Sequence, residues 1–215
     1  KDLSFTLQSS ITPAPNTLVP KTDGSGLIWY DNSSVSNNIP LFPIDFKYGN
    51  GGGNIDTNTA YGKLALNSNI SGFSSVAIGY YSLKNNTSGS YNTSIGVNAM
   101  PVSTTAGDCV AVGNNSLLNV TTGSGNIGVG RRALLGVSTS SNNIGIGYEA
   151  GKTYNGAGNS IFIGNSSGGT SGNSLVVVGN GAGANNTGDY NTYIGNNSAN
   201  NITTGNRNVA LGYNS

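Results

Sequence analysis

The stretches SVAIGYYSL (residues 75–83), NTSIGVNAM (92–100) and NIGIGYEAG (143–151) share one pattern, in which a short apolar run ends on a glycine. The pattern occurs ten times between residues 58 and 215, and its glycines are spaced by six intervals of 17 residues, then by 15, 16 and 17. The repeat glycines are Gly62, Gly79, Gly96, Gly113, Gly130, Gly147, Gly164, Gly179, Gly195 and Gly212. A near-constant period of this length is typical of a solenoid.

The residues before each glycine indicate a strand. If the glycine is position zero, positions minus one and minus three are β-branched or bulky in all ten copies, as in Ile78 and Val76. Two such residues separated by one lie on the same face of a strand. A 17-residue unit is expected to hold two short strands and two turns, and units must stack because none buries its apolar side alone. We therefore predict an all-β fold, a parallel β-roll or β-solenoid of about ten 17-residue coils over residues 58–215, intertwined or packed as a parallel homotrimer.

Asparagine is concentrated at position minus four, where six of the ten copies carry it. These residues are Asn58, Asn92, Asn126, Asn143, Asn191 and Asn208. Stacked coils would bring their amides together in a hydrogen-bonded ladder, as in cross-β structure. Asparagine also suits turn geometry. The sequence alone leaves both interpretations open.

Two repeat positions change size together along the chain. Position plus four is large in the first five copies and is glycine or alanine in the next four, whereas position minus two grows in three of those later copies. Complementary volumes predict that the two positions fill the same space. Because positions minus one and minus three are expected inside, this second apolar layer is expected outside, covered by other copies of the chain. The predicted intersubunit layer comprises Leu66, Leu83, Met100, Leu117, Leu134, Phe162, Val177 and Tyr193.

Residues 1–57 do not share the repeat and hold five of the six prolines, together with Phe5, Trp29, Phe42 and Phe46. The run GLIWYD (26–31) is typical of a strand that leaves a turn. GNGGGN (49–54) is expected to be a hinge. Since an open end of a solenoid exposes unpaired strand edges, this segment is predicted to be a cap, a small β-domain or an attachment to a neighbouring fibre section.

Composition argues against most chemistry. Only 8% of the residues are charged, the net charge is +1, histidine is absent and Cys109 is the single cysteine. The commonest acid–base catalyst is therefore missing, and no cysteine-based metal site can form. A basic face for nucleic acid and an apolar run long enough for a membrane helix are also absent from the sequence. We expect no catalytic residues, no metal, no cofactor, no nucleic-acid partner and no membrane insertion.

The repeats resemble a known family. The stretches quoted above and NVALGYNS (208–215), with their TTG spacers, resemble the repeats of phage-type and other viral tail fibres. They are also similar to the SVAIG repeats in the head domains of trimeric autotransporter adhesins. Both resemblances imply a parallel β-roll that acts as a trimeric display rod.

The expected function is therefore that of a rigid, extracellular fibre segment on a virion, which attaches to a host cell. Its expected partners are further copies of itself, a host-surface glycan or protein receptor, and other fibre or virion proteins. Position plus one offers a candidate contact surface at Tyr80, Tyr148 and Tyr213, because exposed tyrosine suits recognition. These tyrosines could equally be strand-edge residues.

Two alternatives remain. The first is a bacterial cell-surface adhesin head. The second is an ice- or crystal-binding solenoid, which requires a flat ladder of exposed threonine. That function is disfavoured because Thr59, Thr93 and Thr192 at position minus three are intermittent and expected to point inward.

Overall fold

The computed structural model describes residues 17–20, 27–30 and 48–215. The chain divides into two compact units, Lys1–Asp45 and Phe46–Ser215. In the first unit, β1 (Thr17–Pro20) pairs antiparallel with β2 (Leu27–Tyr30), which confirms the strand predicted from GLIWYD. Phe5, Phe42 and Phe46 lie outside the described residues, so the function predicted for them stays a prediction.

The second unit is a solenoid built on one eleven-stranded sheet. After the two-residue β3 (Tyr48–Gly49), ten three-residue strands pair in parallel with their sequence neighbours. They are β4 (Thr59–Tyr61), β5 (Val76–Ile78), β6 (Thr93–Ile95), β7 (Val110–Val112), β8 (Ile127–Val129), β9 (Ile144–Ile146), β10 (Ile161–Ile163), β11 (Val176–Val178), β12 (Thr192–Ile194) and β13 (Val209–Leu211). Each covers repeat positions minus three to minus one, and equivalent positions align. The predicted all-β solenoid, with a strand before each repeat glycine, is confirmed.

Each coil contains one regular strand and not the two that were predicted. The other sides are turns whose backbone groups still bond to the next coil, as when the Leu66 N–H donates to the Ser82 carbonyl at 2.9 Å. The repeat glycine makes the sharp exit from the strand possible. At Gly96, φ is 135°, and a Cβ there would lie 2.7 Å from the carbonyl oxygen of Gly113 in the next coil. Only glycine allows both the conformation and the close approach.

The interior of the solenoid is lined by positions minus two and plus four, which reverses the prediction from the sequence. Leu66, Leu83, Met100, Leu117, Leu134, Phe162, Val177 and Tyr193 are each 0% exposed within one chain. They therefore need no cover from another copy, and their predicted role as an intersubunit layer is wrong. The physical reason is the narrow bore of a 17-residue coil. It accepts a small residue from the strand and one large residue from the opposite turn, so the β-branched pair lies outside.

The volume pairing itself is confirmed, inside a single chain. A Cβ on Gly128 would lie 3.1 Å from the Leu117 Cγ. In the later coils the roles exchange, because a Cβ on Gly151 would lie 2.7 Å from the Phe162 ring. The large side chain thus comes from plus four in the first half of the rod and from minus two in several later coils. A large residue at one of the two positions is thus matched by a small residue at the other.

The asparagines at minus four hold turns, which confirms that interpretation, and their amides also bond to one another where two copies are adjacent, at Asn126–Asn143 and Asn191–Asn208. The Asn126 side chain donates to the Ser140 carbonyl at 2.9 Å, which fixes the turn. Its Oδ1 accepts both the backbone N–H and the side-chain amide of Asn143 in the next coil, each at 3.0 Å. Serine substitutes in part, since Ser75 Oγ accepts the Asn92 N–H at 3.1 Å. Polar groups can be buried here because groups of the next coil complete their hydrogen bonds.

Residues 48–54 pack onto the first coil. β3 pairs antiparallel with β4, and the Gly52 N–H donates to the Leu66 carbonyl at 2.7 Å. A Cβ on Gly52 would lie 2.5 Å from the Asn67 carbonyl oxygen, so this glycine permits close packing. The hinge predicted for GNGGGN is therefore wrong. The glycines bring the segment against the solenoid, where it covers the edge of the first strand.

Positions minus two and plus four share the core volume of a coil. Substitutions at the two positions should therefore be strongly coupled in their effects on the free energy of unfolding. Phe162→Ala should lower the free energy of unfolding by about 3–5 kcal/mol through cavity formation. Gly151→Leu alone should also destabilise, by about 1–3 kcal/mol, because it overpacks the core. In the double variant the new leucine occupies the space left by Phe162, at a φ of 59° that resembles the 51° of Leu134.

Urea unfolding of the wild type, the two single variants and the double variant measures this coupling. The double variant should lose less free energy of unfolding than the sum of the losses in the two single variants. Phe162→Ala combined with the distant Leu66→Ala serves as the control and should be additive. An additive result for the first pair would contradict the shared space.

Cys109 occupies a ladder position and should be chemically inert. Its side chain is fully buried, its Sγ lies 3.5 Å from the Gly123 carbonyl oxygen, and burial raises the pKa of the thiol to about 11. At pH 8 the thiol should fail to react with Ellman's reagent until the protein is unfolded. Cys109→Asn should increase the free energy of unfolding by about 0.5–1.5 kcal/mol, because an amide makes the bonds of its neighbours. Cys109→Val is the matched control and should not stabilise. Rapid labelling of the folded protein would contradict this placement.

Candidate functional site

The β-branched face of the sheet is an apolar surface that runs through all ten coils. Positions minus one and minus three point outward in every coil, and Ile95, Ile146 and Ile194 are 37%, 41% and 43% exposed. We call this face the apolar stripe. Its members are Thr59, Tyr61, Val76, Ile78, Thr93, Ile95, Val110, Val112, Ile127, Val129, Ile144, Ile146, Ile161, Ile163, Val176, Val178, Thr192, Ile194, Val209 and Leu211. The stripe carries no charged residue.

The dimensions of the apolar stripe follow from strand geometry. Nine steps of about 4.8 Å give a length of roughly 43 Å, with two columns about 7 Å apart. Monomeric proteins seldom expose continuous apolar surfaces on this scale. Parallel sheets are in addition almost always covered on both faces. Here the inner face is covered by the turns of the coil, and the residues that the structure describes leave the outer face open.

Threonine on this face is too sparse for an ice-binding ladder. Thr59, Thr93 and Thr192 lie on the stripe and so point outward, contrary to the sequence prediction. They are separated by aliphatic coils, so the stripe is predominantly hydrocarbon.

A second exposed surface follows the turn after each repeat glycine. Position plus one is exposed in all ten coils, and we call this column the edge column. Its members are Lys63, Tyr80, Val97, Asn114, Arg131, Tyr148, Asn165, Asn180, Asn196 and Tyr213. Tyr80, Tyr148 and Tyr213 are 41%, 41% and 73% exposed, so all three predicted contact residues reach the surface. Whether they bind anything stays a prediction.

The tyrosines of the edge column differ in their surroundings. The Tyr80 ring stacks on Tyr81 at 3.9 Å between centroids, and the Lys84 Nζ lies 4.3 Å from the Tyr81 ring. The Tyr148 ring instead has the Arg131 guanidinium 5.6 Å from its centroid. This pairing was not predicted, although an arginine and a tyrosine one repeat apart are visible in the sequence.

Charge is concentrated beside Tyr148. Glu149 bonds to Arg132 at 2.9 Å and to Lys152 at 3.1 Å. Hydrogen bonds from Arg132 and then Lys152 hold the pKa of the Glu149 carboxyl below its usual value. Among the described residues, Arg131 forms no salt bridge, so its charge is not compensated by this carboxylate.

The described residues offer no group of three or more histidine, cysteine, aspartate or glutamate side chains that could hold a metal. Within the same part of the chain, none of the helical segments has the length and hydropathy needed to span a membrane. Comparisons with protein families, curated proteins and solved structures found no match to this chain. The class that the geometry defines is a repeat-built β-solenoid with an uncovered apolar stripe and a polar edge column.

The Glu149 cluster predicts a small pH dependence of stability. Because the folded-state pKa is lowered, the ion pairs stabilise the fold above about pH 4.5, and this contribution is lost as the pH falls toward the lowered pKa. Glu149→Gln should therefore cost up to about 1 kcal/mol at pH 7 and less at pH 3.5, since the pairs are partly exposed. Urea unfolding at both pH values, in low and high salt, measures the difference. An equal cost at both pH values would contradict it.

Proposed function

We propose that this chain is a non-enzymatic, extracellular rod: a rigid segment of a viral, phage-type tail or receptor-binding fibre that mediates attachment to a host cell. Its partners are two further copies of itself, other fibre or virion proteins, and a glycan or protein receptor on the host surface. The observation that supports this proposal best is the apolar stripe. A rod-shaped parallel solenoid with one uncovered hydrocarbon face is suited to bundling with copies of itself.

The size of the stripe supports assembly through it. A standard protein–protein interface uses roughly 20–30 residues on each partner. The apolar stripe supplies twenty from one chain, without a charge that would oppose burial. Identical chains placed side by side and in register would meet along the whole length of the rod. The number three comes from the resemblance of the repeats to viral fibres and trimeric adhesins.

The mechanism of attachment would be mechanical and multivalent. A stiff bundle presents each surface site once per chain, so that three weak contacts act together with high avidity. Charged residues make up only 8% of the chain, which limits nonspecific electrostatic attraction. The same features support a bacterial cell-surface adhesin head as the second candidate, because such a head also uses a bundled roll to display contact residues.

The mass in solution tests the assembly. Light scattering on a size-exclusion column should give about 65 kDa, three times the 21.7 kDa of the chain. Ile146→Lys should reduce the mass to that of one chain without unfolding it, because a lysine can extend into water from a residue that is 41% exposed in the single chain.

The matched control is Asn165→Lys, which adds the same charge to the edge column. It should keep the mass of about 65 kDa, that of three 21.7 kDa chains. A wild-type mass of 21.7 kDa, or equal dissociation by both variants, would contradict assembly through the apolar stripe.

A further inference from the structure

The edge column has one region with mixed chemistry. In four consecutive coils it presents an amide, a guanidinium, a phenol ring and an amide, at Asn114, Arg131, Tyr148 and Asn165. All four side chains are exposed. Neighbouring members are about 4.8 Å apart along the axis, because they follow in-register strands. The region therefore extends over roughly 14 Å of the rod.

This region also carries the main positive charge of the solenoid. Among residues 48–215 there are six lysines and arginines and four aspartates and glutamates. Three of the cations and one of the acids, Glu149, lie between residues 131 and 152. Glu149 is already paired with Arg132 and Lys152. Arg131 keeps its donors available to a ligand while its guanidinium stays 5.6 Å from the Tyr148 ring.

These groups match the parts of an acidic sugar. An exposed tyrosine ring can stack on the apolar face of a pyranose. Arginine recognises a carboxylate with two parallel hydrogen bonds, which lysine cannot do. The flanking amides can both donate to and accept from sugar hydroxyls. The axial spacing is comparable to the length of one sugar unit in an extended chain.

We propose that Asn114, Arg131, Tyr148 and Asn165 form a binding site for a carboxylate-bearing glycan that lies along the rod axis. Arg131 binds the carboxylate, Tyr148 stacks on a sugar ring, and the two asparagines contact hydroxyl groups of adjacent units. This inference rests on the proposed attachment function and names the class of receptor for it.

The other exposed tyrosines lack this combination. Tyr80 stacks on Tyr81, and its neighbour Val97 in the edge column is apolar. Tyr190 has Arg207 at the same 5.6 Å, and each tyrosine has a carboxylate next to it in the sequence. Glu149 beside Tyr148 is paired with Arg132 and Lys152, whereas Asp189 beside Tyr190 forms no salt bridge among the described residues, so its negative charge opposes an anionic ligand. The pair of Tyr190 and Arg207 is therefore a matched control with the same ring, the same cation and the same distance.

The test is binding of the full chain to immobilised polygalacturonate, polysialic acid and alginate, with methyl-esterified polygalacturonate as the uncharged counterpart. The wild type should bind at least one acidic polymer at least tenfold more tightly than the ester, and binding should weaken with salt. Arg131→Gln and Tyr148→Ala should each reduce the affinity at least tenfold. Arg207→Gln removes the same charge and should change the affinity less than twofold.

No binding to any acidic polymer would overturn the inference, as would equal binding of the ester or equal losses in Arg131→Gln and Arg207→Gln. Light scattering on the same samples separates this failure from that of the proposed function. If the protein is a trimer that does not bind acidic glycans, the fibre proposal still stands. If the protein is a monomer, the assembly on which the fibre proposal depends is refuted.

Discussion

In-register stacking is the constraint on which the rest of this structure depends. Every side chain meets the side chain of the same repeat position one coil away, about 4.8 Å along the axis. A polar residue can then be buried if its counterpart completes its hydrogen bonds, as Asn126 and Asn143 do. A bulky residue can be buried only if the opposite position is small, as Gly151 is beside Phe162. The repeat thus fixes both the composition of the core and the chemistry of the surface.

The same constraint explains why the β-branched residues lie outside. Ala77 and Ala111 on the inner face of the sheet are fully buried, whereas their strand neighbours Ile78 and Val112 are only partly buried. The bore has room for one large side chain per coil, and that place is already taken from another position. The face with the higher β-propensity is consequently available for a partner. The uncovered stripe is a direct result of how the coil fills its own interior.

The sequence was sufficient to predict the class of fold, the strand before each repeat glycine and the volume pairing, because all three are periodic. The assignment of faces failed at positions minus one and minus three, since strand alternation shows which residues share a side but not which side is inner. A better signal was present in the asparagines. Asn126 and Gly128 lie on the same side of one strand, so a buried amide ladder already implied an inner position minus two. The pairing of Arg131 with Tyr148 was not predicted, although their spacing of one repeat places the two residues next to each other in stacked coils.

The proposed orientation of the copies is best tested by cross-linking near one end of the apolar stripe. Ile95 lies in the third coil and is 37% exposed, whereas Cys109 is buried and its thiol pKa is raised to about 11. In Ile95→Cys, parallel in-register chains would bring the new thiols together, so a short bismaleimide should join two chains covalently. Antiparallel chains would place these thiols far apart along a rod of roughly 43 Å. Efficient cross-linking is the predicted result, and its absence in an assembled protein would contradict parallel packing through this face.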